Sequence, residues 1–128
     1  MSKGLRITFL IHAVVAGVFG LFLLLIPGRF LEFIGWAPID PIVSRLLGAA
    51  MLALAWSSVR GWRASGWAEV AILVEMEVIF TVLACVALLR HLLFGWWPWM
   101  PWAVLVLCAL FAVAWAVCLV QGRGAERA

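Results

Sequence analysis

The sequence predicts an all-α integral membrane protein: a four-helix bundle with a short interfacial helix between the first and second spans. Three observations predict it. Apolar residues make up 68% of the 128-residue chain and charged ones only 12%, more apolar surface than a soluble domain of this size could bury. The charges cluster in short patches, and the stretches between them reach the roughly 20 apolar residues that a helix needs to cross a bilayer. Nine Trp and no Tyr are present, mostly near the ends of those stretches, as interfacial anchors would be. The length suits one transmembrane domain over residues 1–128.

The first span is predicted over about residues 6–26, closed by Pro27-Gly28. Its basic start and apolar run resemble a signal peptide. No small-residue cleavage site precedes Pro27-Gly28-Arg29, so the expectation is an uncleaved helix. Phe30, Leu31, Phe33, Ile34 and Trp36 alternate with Arg29 and Glu32, a pattern suited to a short helix lying in the interface. The second span, 41–60, opens with an N-cap and a first-turn proline, Asp40-Pro41. The third, 67–89, is closed by Arg90-His91. The fourth, 101–120, follows the run from Trp96 to Trp102 and ends before Gln121-Gly122-Arg123.

Basic residues orient the chain. Lys3, Arg6, Arg60, Arg63, Arg123 and Arg127 flank one side, against Arg29, Arg45 and Arg90 on the other. The positive-inside rule then places the protein in the cell (inner) membrane as a multi-pass chain with both termini cytoplasmic. Trp36, Trp96, Trp97, Trp99 and Trp102 form the expected outer aromatic belt, and Trp62 and Trp67 the inner one. The net charge of +3 flanks membrane segments, so nucleic acid is not an expected partner. The bilayer is, with a homo-oligomer or a larger membrane complex as further candidates.

Small residues mark expected helix contacts: Ala13 with Gly17 and Ala16 with Gly20 in the first span, Gly48, Ala49 and Ala53 beside Arg45 and Trp56 in the second, and Ala109, Ala112 and Ala116 in the fourth. The third span carries the chemistry. Carboxylates at bilayer depth cost about 2.5–3.5 kcal/mol each on insertion and mark a partner or a task. Glu75 and Glu77, two residues apart, lie on nearly opposite helix faces and cannot form one dyad. Glu77 shares a face with Thr81, Ala84 and Cys85 that should point inward. Glu75 shares one with Ile72, Ile79, Val82 and Val86 that suits lipid or a partner. Counted from the expected span ends, Glu75 and His12 lie at matched depth, roughly 5–6 Å to the cytoplasmic side of the midplane. The expected candidate polar site is therefore Glu77, Glu75, Arg45, His12 and Thr81, with Arg45 bending toward Glu77 and Glu75 either meeting His12 or buried at a contact with another chain.

Other chemistries lack their residues. His12 and His91 lie near opposite membrane faces and cannot share a haem. Cys85, Cys108 and Cys118 have no CxxC spacing, and the last two lie roughly 15 Å apart along one helix, too far to bridge. No phosphate loop, Ser-His-Asp set or HExxH occurs, so an enzyme is not the favoured reading and no cofactor is assigned.

A first helix ending in Pro27, then Phe30-Leu31 and Gly35, then Arg45-Leu46-Leu47-Gly48-Ala49 opening the next helix, resembles DoxX-like proteins and neighbouring uncharacterised four-helix families of the bacterial inner membrane. The resemblance implies a four-helix inner-membrane protein, sometimes an accessory subunit of a membrane redox system, and brings no site residues. The favoured expectation is a non-catalytic module binding a partner protein or lipid-like molecule, as an accessory subunit of a membrane complex or alone. The alternatives are a small proton-coupled transporter or conductance using Glu and His, and a quinone- or haem-linked redox protein.

Overall fold

The computed structural model describes residues 1–36, 40–95 and 97–127, with side chains through Gly124. The belt residue Trp96 and the side chain of Arg127 lie outside the described residues. Five helices follow one another: α1 (Lys3–Leu25), α2 (Pro27–Phe33), α3 (Pro41–Arg63), α4 (Ala71–Leu92) and α5 (Trp99–Arg127). All but the short α2 are long and apolar enough to cross a membrane, making this a multi-pass membrane protein.

Local chemistry sets the boundaries. Ser2 caps α1, its hydroxyl accepting from Leu5 N at 3.2 Å. Pro27 ends α1, since its ring cannot continue the ladder, and starts α2 at the position where no N–H is needed. Gly35, at φ 70°, takes the left-handed turn after α2, and Trp36 N donates back to Leu31 O at 2.7 Å. Asp40 Oδ1 accepts from Ile42 N (2.9 Å) and Val43 N (3.0 Å), capping α3 ahead of Pro41. Arg60 and Arg63 lie in the last turn of α3, and Arg90 and His91 in that of α4, where cations favour the helix C-terminus.

Two expected boundaries shift. Residues 67–70 form a turn, with Trp67 O accepting from both Val70 N and Ala71 N, so α4 begins at Ala71 and not near 67. Helix α5 starts at Trp99, because Pro101 in the first turn gives up only an N–H that would have no helical partner, and it continues past 120 to Arg127.

The bundle is two antiparallel pairs, α1 with α3 and α4 with α5. Gly20 and Gly48 let α1 and α3 approach backbone to backbone: a Cβ on Gly48 would lie 2.6 Å from Leu24 N and 2.9 Å from Gly20 O. The ring of Phe9 fills the space beside Gly61. The expected face of Ala49 and Ala53 with Arg45 and Trp56 is exposed; only Gly48 of that set is buried, and α3 packs through Ser44, Gly48, Ala55, Ser58 and Gly61 instead. Ala109 and Ala116 likewise face outward, while α5 buries Trp115 and Cys118. Larger side chains win there because the two pairs stand further apart than α1 and α3 do. They meet most fully at the end carrying the termini, where Leu5, Phe9, Ala64, Val70, Val74, Trp115 and Cys118 form one buried cluster.

Candidate intramembrane polar site

Just beyond that cluster, three helices each turn one polar residue inward. The buried stripe of α1 is Leu5, Phe9, His12, Ala16, Gly20 and Leu23, at helical spacing, so His12 has nowhere to point but the bundle interior. Ser58 sits on the buried stripe of α3 and Glu77 on that of α4, between Val74 and Thr81. His12, Ser58 and Glu77 are 4%, 0% and 1% exposed, so none has water to satisfy it.

They satisfy one another. His12 Nδ1 lies 2.8 Å from Ser58 Oγ and 3.3 Å from Glu77 Oε1, and the Ser58 hydroxyl donates to Glu77 Oε1 at 3.5 Å. The chain of bonds has a direction. A hydroxyl has one proton, so when Ser58 donates to Glu77 it must accept from His12, which fixes His12 as the Nδ1–H tautomer. The His12 ring is held edge-on by Phe111 at 4.9 Å and Trp115 at 5.6 Å between centroids. Two buried atoms are left over: Glu77 Oε2 and Trp115 Nε1 have no hydrogen-bond partner.

The structure thus brings His12, Glu77 and Thr81 together and separates them from Glu75 and Arg45. Thr81 does not hold the carboxylate: its hydroxyl donates along its own helix to Glu77 O at 2.7 Å. Glu75 does not meet His12. It accepts from Arg123 Nη2 at 2.6 Å, in a pair whose side chains are 43% and 55% exposed. Arg45 is exposed near the start of α3 and makes no ion pair with Glu77. Helix α4 starts later than expected, at Ala71, which shifts its carboxylates toward the terminal end; Glu77 meets His12, and Glu75 lies beside Arg123 near the end of α5. Ser58 and Trp115 carry no chemical signal in isolation. The spacing of small residues from Ser44 through Gly48 and Ala55 to Ser58 is the pattern that marks the α3 face.

At the opposite end of the bundle the two helix pairs part around a cavity of about 630 Å³. Its walls are mainly apolar: Phe19 and Leu23 of α1, Phe30 and Leu31 of α2, Leu47 and Met51 of α3, Phe80, Ala84, Ala87 and Leu88 of α4, and Val104 and Cys108 of α5. Polar groups gather where the helices end, namely Asp40, Ser44, His91 and the indole of Trp36. Phe30 itself stacks on Phe22, centroids 5.0 Å apart, which ties α2 across that end. Among the described residues no three side chains are grouped to hold a metal ion, and the three cysteines are free. No family model matches this chain, and no curated protein or solved structure matches it either.

Proposed function

We propose that this protein is a non-catalytic module of the cell (inner) membrane that holds a lipid-like, single-chain amphiphile in the cavity between its helix pairs. The observation that carries the reading is the cavity itself: apolar walls at bilayer depth and polar groups only at one rim. The walls are apolar over most of their length, which suits an aliphatic chain and leaves the polar rim for its headgroup. A headgroup at the rim has Asp40, Ser44 and His91 to bond with. Lys3, Arg6, Arg60, Arg63 and Arg123 gather at the terminal end, which supports cytoplasmic termini and a cavity on the outer side. The likeness to DoxX-like proteins agrees with service as an accessory subunit that presents such a molecule to a larger complex.

A long-chain fatty alcohol carrying a diazirine near its tail tests this. After reconstitution and illumination, label is expected on Met51, Phe80 and Ala84, and Ala84→Leu together with Ala87→Leu should abolish it. Label confined to outward residues such as Ile79 and Val113 overturns the reading. Reporter fusions to the C-terminus that respond on the outer side overturn the orientation.

A further inference from the structure

The polar cluster and the cavity are neighbours. Phe80 and Ala84, which line the cavity, lie about one and two turns beyond Glu77 on the same helix. On the other side the cluster is closed by Phe9, Val70, Val74 and Trp115, each 0% exposed. Glu77 Oε2 is buried without a partner. Toward the cavity, the buried stripes of α1 and α4 place the small side chains Ala16 and Thr81 between the cluster and the lining residues Phe19 and Phe80.

We propose that His12, Ser58 and Glu77 form a one-proton site whose exchange with water runs through the cavity, so that an occupant of the cavity shuts the site off. The occupancy part rests on the amphiphile reading above; the proton site does not. With Glu77 ionised, His12 Nδ1–H donates to Ser58 Oγ and Ser58 donates to Glu77 Oε1. A proton delivered by water to Glu77 turns the chain around: the carboxyl O–H donates, and His12 Nδ1 becomes the acceptor as its proton moves to Nε2 by exchange with the same water. The cluster goes from one negative charge to none, and hydronium is left as water. No other charge intervenes. The facing groups are His12 from α1, Ser58 from α3, and the rings of Phe111 and Trp115 from α5, and on α4 itself Glu75 is turned away to Arg123. Among the described residues no Lys or Arg bridges Glu77. The three helices bear on both pairs of the bundle, so the proton sits where the pairs are joined.

Infrared difference spectroscopy on the protein in phospholipid vesicles tests it. A protonated-carboxyl band is expected that is lost in Glu77→Gln, retained in Glu75→Gln and shifted in frequency in Ser58→Ala. Its shift on transfer to deuterated water should slow by about tenfold or more when the vesicles are loaded with the long-chain alcohol. Ser58→Ala and Glu75→Gln keep the assignment decidable if Glu77→Gln does not fold. Absence of a carboxyl band at every pH, or a band lost in Glu75→Gln, overturns the proton site. Equal exchange in loaded and empty protein, with the photolabel still on Met51 and Phe80, overturns the cavity route while leaving the amphiphile reading intact.

Discussion

Replacing Gly48 by alanine tests the closest contact in the bundle. The added Cβ would lie 2.6 Å from Leu24 N, 2.9 Å from Gly20 O and 3.0 Å from Leu23 C, and every one of these is backbone, with no flexible side-chain end to give way. Ordinary contact begins at 3.4 Å, so α1 and α3 must part by about 0.8 Å at the crossing. Overpacking of this kind costs about 1–3 kcal/mol. Alanine returns about 1 kcal/mol of helix propensity, leaving a net loss of about 1–2 kcal/mol at the upper part of the range. The control is Gly4→Ala on α1, whose Cβ would meet nothing within 4 Å, so propensity acts alone there and stability should hold or rise. Unfolding in mixed micelles, followed by tryptophan fluorescence, reads both variants. Equal stability of Gly48→Ala and Gly4→Ala would refute backbone contact as the basis of the α1–α3 pair.

Ser58→Ala removes the middle of the His12–Ser58–Glu77 chain and should cost about 1–2 kcal/mol in the same assay, since two buried groups lose a partner; a variant as stable as the parent would show the chain is not formed. Arg123→Ala breaks an ion pair more than a third exposed on both sides, so the loss should stay below about 1 kcal/mol after screening and shrink further in salt. A larger, salt-independent loss would mean that Glu75 is buried by a partner. Between α3 and α4, the Ser65 hydroxyl and amide donate to Glu69 and hold its carboxyl below its ordinary value. The turn is therefore braced above the ordinary carboxylate value of 4.5 and loses that brace as pH falls through the lowered one, so protection of the Ser65 amide relative to its intrinsic exchange rate should fall in acid, and Glu69→Gln should remove the dependence.

The spans were legible because hydropathy integrates over many residues, and so was the inward turn of Glu77, which follows from helical period once α4 is accepted as a helix. Its partner was not. Depth counted from the expected span ends matches His12 to Glu75, whereas the contact at 3.3 Å is with Glu77; the turn at Trp67, packed against Gly122, starts α4 later and shifts the register in that direction. Arg45 illustrates a different limit. Its face holds Ala49, Ala53 and Trp56, and small residues look the same in a sequence whether they meet a helix or lipid. Only the companion stripe ending at Ser58 and Gly61, filled by Phe9, decides which face closes. Trp115 is a further case, an indole at the buried centre of a helix whose eight companions in the sequence mostly suit the interface.

The two ends of the bundle differ for one physical reason. In lipid, apolar burial does not drive helices together, so pairs associate only where their surfaces pack or hydrogen-bond. At the terminal end, Phe9, Val74 and Trp115 fill the space between the pairs, and Phe9 meets Trp115 edge-on at 4.8 Å. The adjacent His12–Ser58–Glu77 chain adds the one polar link between α1, α3 and α4 among the described residues. Beyond Thr81 the inward positions of α4 include the small Ala84 and Ala87, which leave space between the pairs where Phe19 and Leu47 form the opposite wall. Walls left unfilled forfeit dispersion contacts that an aliphatic chain restores. On the proposed reading, an aliphatic chain there completes the packing that Phe9, Val74 and Trp115 complete at the terminal end.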